Sequence, residues 1–191
     1  LVDRDDPPWT TMAREITDIA IVETRRTRAN GGRPARDGDV SVRLGTVDVT
    51  NQVVSYQRRH LRTGEVLEEA ALDLPPQQLR TAAVWYTLSP AALEDAGLDP
   101  GDVPGAAHAA EHAAIGLLPL FATCDRWDIG GVSTALHPDT GLATISVYDG
   151  HPGGAGFSAR GFDVIDSWLG ATRAAIAACE CASGCPSCVQ S

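Results

Sequence analysis

The sequence GAAHAAEHAAIGLLPLFATC occupies residues 105–124 of a chain of 191 residues. Its length and its content of alanine and leucine are typical of a buried helix, because both residue types have high helix propensity. Pro119 lacks a backbone N–H, so we expect the helix to bend or end near that residue. A buried helix must pack against other elements, and the sequence on either side predicts what these are.

Downstream of this helix, the sequence predicts a β-hairpin and then a second helix. Residues 128–150, DIGGVSTALHPDTGLATISVYDG, are two strand-like runs around a Pro-Asp-Thr-Gly turn at residues 138–141. Residues 156–179 carry apolar side chains at helical spacing and lead directly to a group of cysteines.

Upstream of the helix, the sequence predicts β-strands. Apolar and polar residues alternate over 16–23, 40–50 and 51–60. A break rich in glycine, proline and aspartate covers residues 29–39, and we interpret it as an exposed hairpin loop.

The fold class predicted from these patterns is α+β. Residues 81–88 predict another strand, and Ser89 followed by Pro90 predicts the capped start of a short helix. We therefore expect a β-rich, arginine-containing segment over residues 1–74. In residues 75–191 we expect helices packed on a β-hairpin, ending in a four-cysteine zinc knuckle.

The charge is distributed unevenly along the chain. All 15 basic residues are arginine, and residues 1–80 hold 12 of them against 13 acidic residues. Residues 81–191 hold 3 arginines against 12 acidic residues, which places nearly all of the net charge of −10 in that part. An acidic domain does not attract a phosphate backbone by its overall field. We expect any DNA contact to come either from another part of a longer protein or from arginines in the first part of this chain. The alternative for these arginines is that they lie on a solvated loop and contact no DNA. The candidates are Arg25, Arg26, Arg28, Arg33 and Arg36.

The composition, with 43% hydrophobic and 21% charged residues, is that of a globular protein. No apolar run approaches the roughly 18 residues of a membrane-spanning helix. The first residues, LVDRDDPP, contain no apolar signal-peptide segment and no initiator methionine. We expect a fragment of a longer cytoplasmic protein that has no membrane partner.

The strongest motif is the cysteine spacing CECASGCPSC at residues 179–188. Four thiols on two short arms suit tetrahedral Zn²⁺, and in a reducing compartment a disulfide framework is not expected. An iron–sulfur cluster is an alternative for four cysteines. We expect the metal to be structural, with Cys179, Cys181, Cys185 and Cys188 as its ligands.

A second motif, His108-Ala-Ala-Glu111-His112, places two histidines on one helix face. Taken literally, it is the H-x-x-E-H pattern of a class of zinc peptidases. Short histidine motifs also arise by chance in alanine-rich helices, where the polar groups simply find hydrogen-bond partners. We predict a polar cluster that holds no catalytic metal and that includes a hydrogen bond from an imidazole to Asp149.

A third motif is the glycine-rich stretch YDGHPGGAG at residues 148–156, between a predicted strand and a predicted helix. Such a turn can cradle a phosphate at a helix N-terminus. It lacks the Gly-Lys-Ser/Thr ending of a nucleotide-binding loop, so we favour a tight structural turn.

Three separated segments occur together in one order: HAAEHAAIGLLPLFATCDRWDIGG, then ISVYDGHPGGAGFSARGF, then CECASGCPSCVQS. In this combination residues 75–191 resemble the zinc-binding C-terminal domain of the MrfA/SftH-type superfamily 2 DNA helicases, which are related to the Hrq helicases. The resemblance implies that the four cysteines bind zinc. It also marks several polar residues as family positions of unassigned role: His108, Glu111, His112, Asp128 and Asp149.

The resemblance further implies a parent protein that is an ATP-driven 3′-to-5′ DNA translocase linked to DNA repair. Its partners would be the motor domains of the same chain, and DNA through the parent protein. ATP and Mg²⁺ would bind only in those motor domains, because this sequence contains neither a nucleotide-binding loop nor an Asp-Glu-x-His box.

Two other classes of function remain open from the residues alone. One is a zinc metallohydrolase built on the helix that carries His108, Glu111 and His112. The other is a stand-alone interaction module whose acidic half meets a basic partner.

Overall fold

The fold is an antiparallel β-sheet with helices packed beside it. The structure is a computed structural model and describes residues 7–29, 40–182, 184–185 and 188. The described residues form six strands: β1 (Trp9–Ala29), β2 (Ser41–His60), β3 (Val66–Ala71), β4 (Gln77–Leu88), β5 (Ile129–Thr134) and β6 (Ala143–Asp149). The strand order is β1-β2-β4-β6-β5, and β3 pairs with β2.

Four α-helices occur in the described part of the chain: α1 (Pro90–Asp95), α2 (Val103–Leu117), α3 (Phe157–Asp163) and α4 (Ile165–Ala178). Two 3₁₀ turns, Leu118–Leu120 and Arg126–Asp128, flank the bend between α2 and β5. The predicted α+β class is therefore confirmed, with helices beside the β5–β6 hairpin and four neighbouring cysteines at the end.

Several element boundaries differ from the sequence prediction. The helix predicted within residues 105–124 begins earlier, at Val103; it ends at Leu117, near Pro119 as predicted, and continues as a 3₁₀ turn that contains Pro119. The segment predicted as one helix over residues 156–179 is two helices, because the backbone leaves helical geometry at Val164. Strand β3 was not predicted, since its Glu-Glu pair gives no clear alternation.

The prediction of a capped helix after residue 88 is confirmed. The Ser89 hydroxyl accepts a hydrogen bond from the Ala92 N–H at 3.1 Å, and Pro90 begins α1. The predicted hairpin loop at residues 29–39 lies, apart from residue 29, outside the described residues.

The chain forms two compact units. The first contains Leu1–Asp18 and Val49–Gln78, and the second contains Ile19–Asp48 and Leu79–Ser191, so β1 and β2 contribute to both. Each of these units combines two separate segments of the chain. The predicted boundary between residues 74 and 75 instead divides the chain into two consecutive domains, and it stays a prediction.

The first unit is a small antiparallel ribbon with polar pairs across its strands. Strands β2 and β3 pair from Ser55 opposite Ala71 to Arg59 opposite Val66. The Glu68 carboxylate accepts hydrogen bonds from the Tyr56 hydroxyl and from Arg58, both at 2.9 Å.

The second unit contains the main hydrophobic core. Helix α2 packs on the β5–β6 hairpin and against α4. The alanines of α2 allow close approach, and the Trp168 indole N–H of α4 donates to the Ala114 carbonyl at 2.9 Å in the buried interior. Trp85 on β4 and Trp168 are both fully buried. This core fixes α2 and the start of β5, which carry the polar groups of interest.

Within the described residues, no helix has both the length and the apolar character needed to cross a membrane.

Candidate metal centre and neighbouring polar groups

The four tail cysteines lie together at the end of α4; we call Cys179, Cys181, Cys185 and Cys188 the cysteine cluster. Helix α4 ends because the backbone becomes extended at its C-cap, Cys179. Gly184 adopts a positive φ of 89°, a conformation open to glycine and strained for other residues. The Cys188 N–H then donates to the Cys185 carbonyl at 3.0 Å, which closes a turn and brings the second pair of sulfurs back toward the first.

The distances between the sulfur atoms fit a tetrahedral metal. Cys181 Sγ lies 3.4 Å from the sulfurs of Cys179 and of Cys188, and Cys185 Sγ lies 3.6 Å from the same two atoms. Four sulfurs at ~2.3 Å from a central Zn²⁺ are ~3.8 Å apart, close to these values. All four separations are well beyond the ~2.05 Å of a disulfide bond.

The close packing of the thiols affects their acidity. Hydrogen bonds with Cys188, and next with Cys179, raise the pKa of Cys181 to about 12. Sulfurs this close together repel one another as thiolates, so a protonated set or a central cation is required. A divalent metal supplies that cation, which makes the donor set chemically suitable for zinc.

The second group of candidate ligands lies on α2; we call His108, Glu111 and His112 the histidine cluster. The Nε2 atoms of His108 and His112 are 3.1 Å apart, and the two rings meet edge to face with centroids 4.3 Å apart. The Glu111 Oε2 lies 3.5 Å from His108 Nδ1. The side chain of His108 is 61% exposed, whereas that of Glu111 is 7% exposed.

Glu111 is fixed by strand β5. Its Oε2 accepts a hydrogen bond of 2.6 Å from the Ser133 hydroxyl. A Cβ atom at Gly131 would lie 2.9 Å from both Cγ and Oε1 of Glu111, so only glycine leaves room for this carboxylate on the strand. Sequence reasoning missed Ser133, because nothing in the motif indicates which strand residue faces the helix.

Burial and the nearby carboxylate of Glu111 shift the pKa values of Tyr86 and His112. Burial raises the pKa of Tyr86 strongly, and the negative charge of Glu111 raises it further. Burial lowers the pKa of His112, as does His108, while Glu111 acts in the opposite direction. His112 is therefore neutral near pH 7 and carries a lone pair.

The arrangement does not favour the peptidase alternative. A hydrolytic zinc site needs an open water position and a carboxylate that reaches that water. Glu111 instead accepts from Ser133 and lies beside the Nδ1 of His108, away from the Nε2 atoms that face each other.

The predicted hydrogen bond between Asp149 and an imidazole is wrong. Asp149 is fully buried at the end of β6, and its carboxylate accepts bonds from the N-terminus of α3. Its Oδ1 accepts from the Ser158 hydroxyl at 2.5 Å. The backbone N–H groups of residues 155–158 also donate to it, at 2.7–3.2 Å. These donors follow Asp149 within nine residues. They bind its carboxylate in place of an imidazole from another element.

The same contacts decide the role of the glycine-rich turn. Gly153, Gly154 and Gly156 all have positive φ, which points the N–H groups that follow inward. Because the carboxylate of Asp149 already accepts those N–H groups, they do not form a phosphate cradle. The preferred interpretation as a structural turn is consistent with this geometry.

Asp128 belongs to a different local structure. It forms a capping box with Asp125, whose backbone N–H donates to Asp128 Oδ2 at 2.8 Å. Its Oδ1 lies 3.9 Å from His151 Nε2. Asp128 therefore fixes the turn before β5, and the structure does not place it among the ligand atoms of the histidine cluster.

The three described arginines of the predicted DNA-contact group are paired with acidic or polar side chains. Arg25 donates to Thr46 at 2.7 Å and lies 3.1 Å from Glu23. Arg26 forms a 2.9 Å ion pair with Asp163. Arg28 pairs with Asp166. Arg33 and Arg36 lie outside the described residues, so the assignment of this group to DNA stays a prediction.

Comparison with known proteins assigns the C-terminal part of the chain. Residues 110–189 match the family model of the MrfA Zn-binding domain. The chain is 28% identical over 187 residues to the uncharacterized ATP-dependent helicase YprA of Bacillus subtilis, covering 96% of this chain and 23% of that protein. An uncharacterized protein of Methanocaldococcus jannaschii is 35% identical over 89 residues, covering 44% of this chain and 78% of that protein.

Among solved structures, the DUF1998 helicase MrfA bound to DNA superposes with a TM-score of 0.70 at 25% identity. The match covers 98% of this chain and 24% of that one. The chain thus spans about a quarter of the length of the helicases it matches. It belongs to the MrfA Zn-binding domain family, as the resemblance predicted.

Proposed function

We propose that this chain is the zinc-binding C-terminal module of an ATP-dependent 3′-to-5′ superfamily 2 DNA helicase or translocase that acts in DNA repair. The observation that carries the proposal is the cysteine cluster, which lies within the segment that matches the MrfA Zn-binding domain. The separations of its sulfur atoms suit one tetrahedral ion.

Within this module, the cysteine cluster would hold one structural Zn²⁺. The described tail residues after α4 are not part of the hydrophobic core. A segment without its own core needs another source of stability, and metal binding supplies it as folding free energy. The zinc would thereby connect Cys179 at the end of α4 to Cys188.

The remaining parts of the proposal concern the parent protein. ATP and Mg²⁺ would bind to motor domains in another part of the parent protein, since these 191 residues contain no nucleotide-binding loop. DNA would be held mainly by those domains, because this chain carries a net charge of −10. We also propose a cytoplasmic location for the parent protein.

The test uses the parent protein with two matched cysteine variants. Cys185→Ser removes one ligand of the cysteine cluster, and Cys124→Ser alters the cysteine that lies outside it. We expect Cys185→Ser to lose the zinc and to reduce DNA unwinding, while Cys124→Ser keeps both. We also expect the 191-residue chain alone to show no ATP hydrolysis. A parent protein without DNA-dependent ATP hydrolysis, or a Cys185→Ser variant that retains zinc and unwinding, would contradict the proposal.

A further inference from the structure

We propose that His108 and His112 form a second metal site, which binds a divalent transition-metal ion through their Nε2 atoms. The site is separate from the cysteine cluster and lies on the surface of α2. Glu111 supports it without being required as a ligand. The proposal does not depend on the function proposed above, since it rests on the geometry of the histidine cluster.

The first argument is the convergence of the two imidazoles. Residues four apart on a helix lie on one face, and here the two Nε2 atoms are 3.1 Å apart. Two nitrogens bound to one tetrahedral Zn²⁺ at ~2.0–2.1 Å are ~3.4 Å apart. In the free chain one Nε2 donates its hydrogen to the other, so metal binding moves that hydrogen to the Nδ1 of the same ring while a small opening of the ring pair admits the ion.

The second argument is the tautomer that Glu111 favours. The Oε2 of this carboxylate lies 3.5 Å from the Nδ1 of His108, which favours the hydrogen on Nδ1 and leaves the lone pair on Nε2. Metal-binding histidines commonly use a carboxylate behind the ring in this way. Glu111 cannot turn away easily, because Ser133 donates to it at 2.6 Å and Gly131 packs against its stem.

The charge of Glu111 and the exposure of His108 to solvent also favour the binding of a cation. The buried carboxylate of Glu111 contributes a negative charge behind the ring, and the side chain of His108 is 61% exposed. An ion can therefore enter from solvent and complete its coordination with water. Arg126 lies near enough to lower the pKa of His112, so its positive charge opposes the binding of a cation. Imidazole donors favour zinc, nickel and copper over magnesium or calcium, whose preferred ligands are oxygens.

The test is a calorimetric titration of Zn²⁺ into the 191-residue chain that already holds one equivalent in the cysteine cluster. We expect the wild type to bind a second equivalent, and His108→Ala and His112→Ala to lose it. Glu111→Gln should weaken it by about 10- to 100-fold, the usual effect of removing such a supporting carboxylate. His151→Ala is the matched control, because it removes another exposed histidine beside a carboxylate and should leave the titration unchanged.

Nitrogen-detected NMR of the imidazoles gives an independent measurement. Zinc should shift the Nε2 resonances of His108 and His112 and leave that of His151 in place. Since His108 is exposed, its alanine variant should fold, as a circular dichroism spectrum equal to that of the wild type would verify. A wild type that takes no second equivalent, or a His108→Ala variant that titrates like the wild type, would overturn the proposal. Neither result would affect the assignment of the cysteine cluster.

Discussion

The cysteine cluster and the histidine cluster hold their ligand atoms in different ways. The sulfurs of the cysteine cluster come from an irregular tail that follows the last turn of α4. The imidazoles of the histidine cluster project from a helix whose opposite side is buried against β5, β6 and α4. The core therefore positions the histidines before any ion binds, whereas the positions of the cysteines depend on the ion that they bind.

The cysteine tail should therefore respond more strongly than α2 to removal of metal. At a site formed by an otherwise unsupported segment, the free energy of metal binding is also free energy of folding. At a site preformed on a packed helix, the ion adds affinity and little stability.

Removing one tail ligand should have the largest effect. Structural zinc sites have apparent binding free energies of about 10–16 kcal/mol in small modules, and loss of one thiolate forfeits much of that. We expect Cys185→Ser to increase amide hydrogen exchange over the end of α4 and the tail, and to leave α2 unchanged. Cys124→Ser should leave both regions as in the wild type. Equal loss of protection in α2 and in the tail would mean that the two regions do not respond separately.

Replacing the buried carboxylate that caps α3 should have the next largest effect. Asp149→Asn keeps the shape of the side chain but loses the charge to which residues 155–158 donate. We expect the free energy of unfolding to fall by about 2–4 kcal/mol, measured by urea denaturation.

The matched control for this change is Asp139→Asn. Asp139 is exposed and accepts one backbone N–H, from Ile21 at 2.7 Å. Its substitution should cost about 1 kcal/mol or less. Equal losses for the two variants would show that the multiple donors to Asp149 have no special weight.

Adding a methyl group between β5 and the histidine cluster should have a smaller effect. In Gly131→Ala, the new Cβ would collide with Glu111 and with the Ile115 side chain, which a Cβ would approach to 2.5 Å. We expect thermal denaturation to show a loss of about 1–3 kcal/mol. Gly116→Ala, on α2 with open space around it, should instead be neutral or stabilise by up to about 1 kcal/mol. A Gly131→Ala variant as stable as Gly116→Ala would contradict the close packing of Glu111.

Changes at the arginines should have the smallest effect on stability. Arg28→Ala breaks a surface ion pair with Asp166, worth about 0–1 kcal/mol.

We expect DNA binding by this chain alone to be weak and strongly salt-dependent. The combined Arg25→Ala, Arg26→Ala and Arg28→Ala change should reduce the salt slope by about 0.9 for each DNA phosphate that is no longer neutralised. Arg173→Ala, on the exposed part of α4, is the control, and tight binding that is insensitive to salt would contradict the charge argument.

The sequence predicted those features of the fold that local patterns determine. The Ser89 cap, the β5–β6 hairpin and the grouping of the cysteines each depend on residues close together in the chain, and each is present. The break at Val164 was not predicted, because the apolar spacing on both sides of it is helical and gives no signal of an interruption.

Pairings between distant residues were less accessible. Ser133 reaches Glu111 only because α2 packs on β5, and no motif marks a serine for that role. Asp149 was expected to bind an imidazole of another element, yet its own turn supplies donors within nine residues. Short motifs identify which residue types can react, and packing decides which of them meet.

X-ray absorption of the 191-residue chain as purified, with no metal added, measures which ion the cysteine cluster holds and how that ion is coordinated. We expect the absorption edge of zinc and a first shell of four sulfur atoms at ~2.3 Å. In Cys185→Ser the zinc should no longer be retained and this four-sulfur shell should be lost, while in Cys124→Ser the shell should be unchanged. A first shell of nitrogen and oxygen atoms at ~2.0–2.1 Å, or a metal centre that contains iron, would contradict the assignment of the cysteine cluster as the structural zinc site.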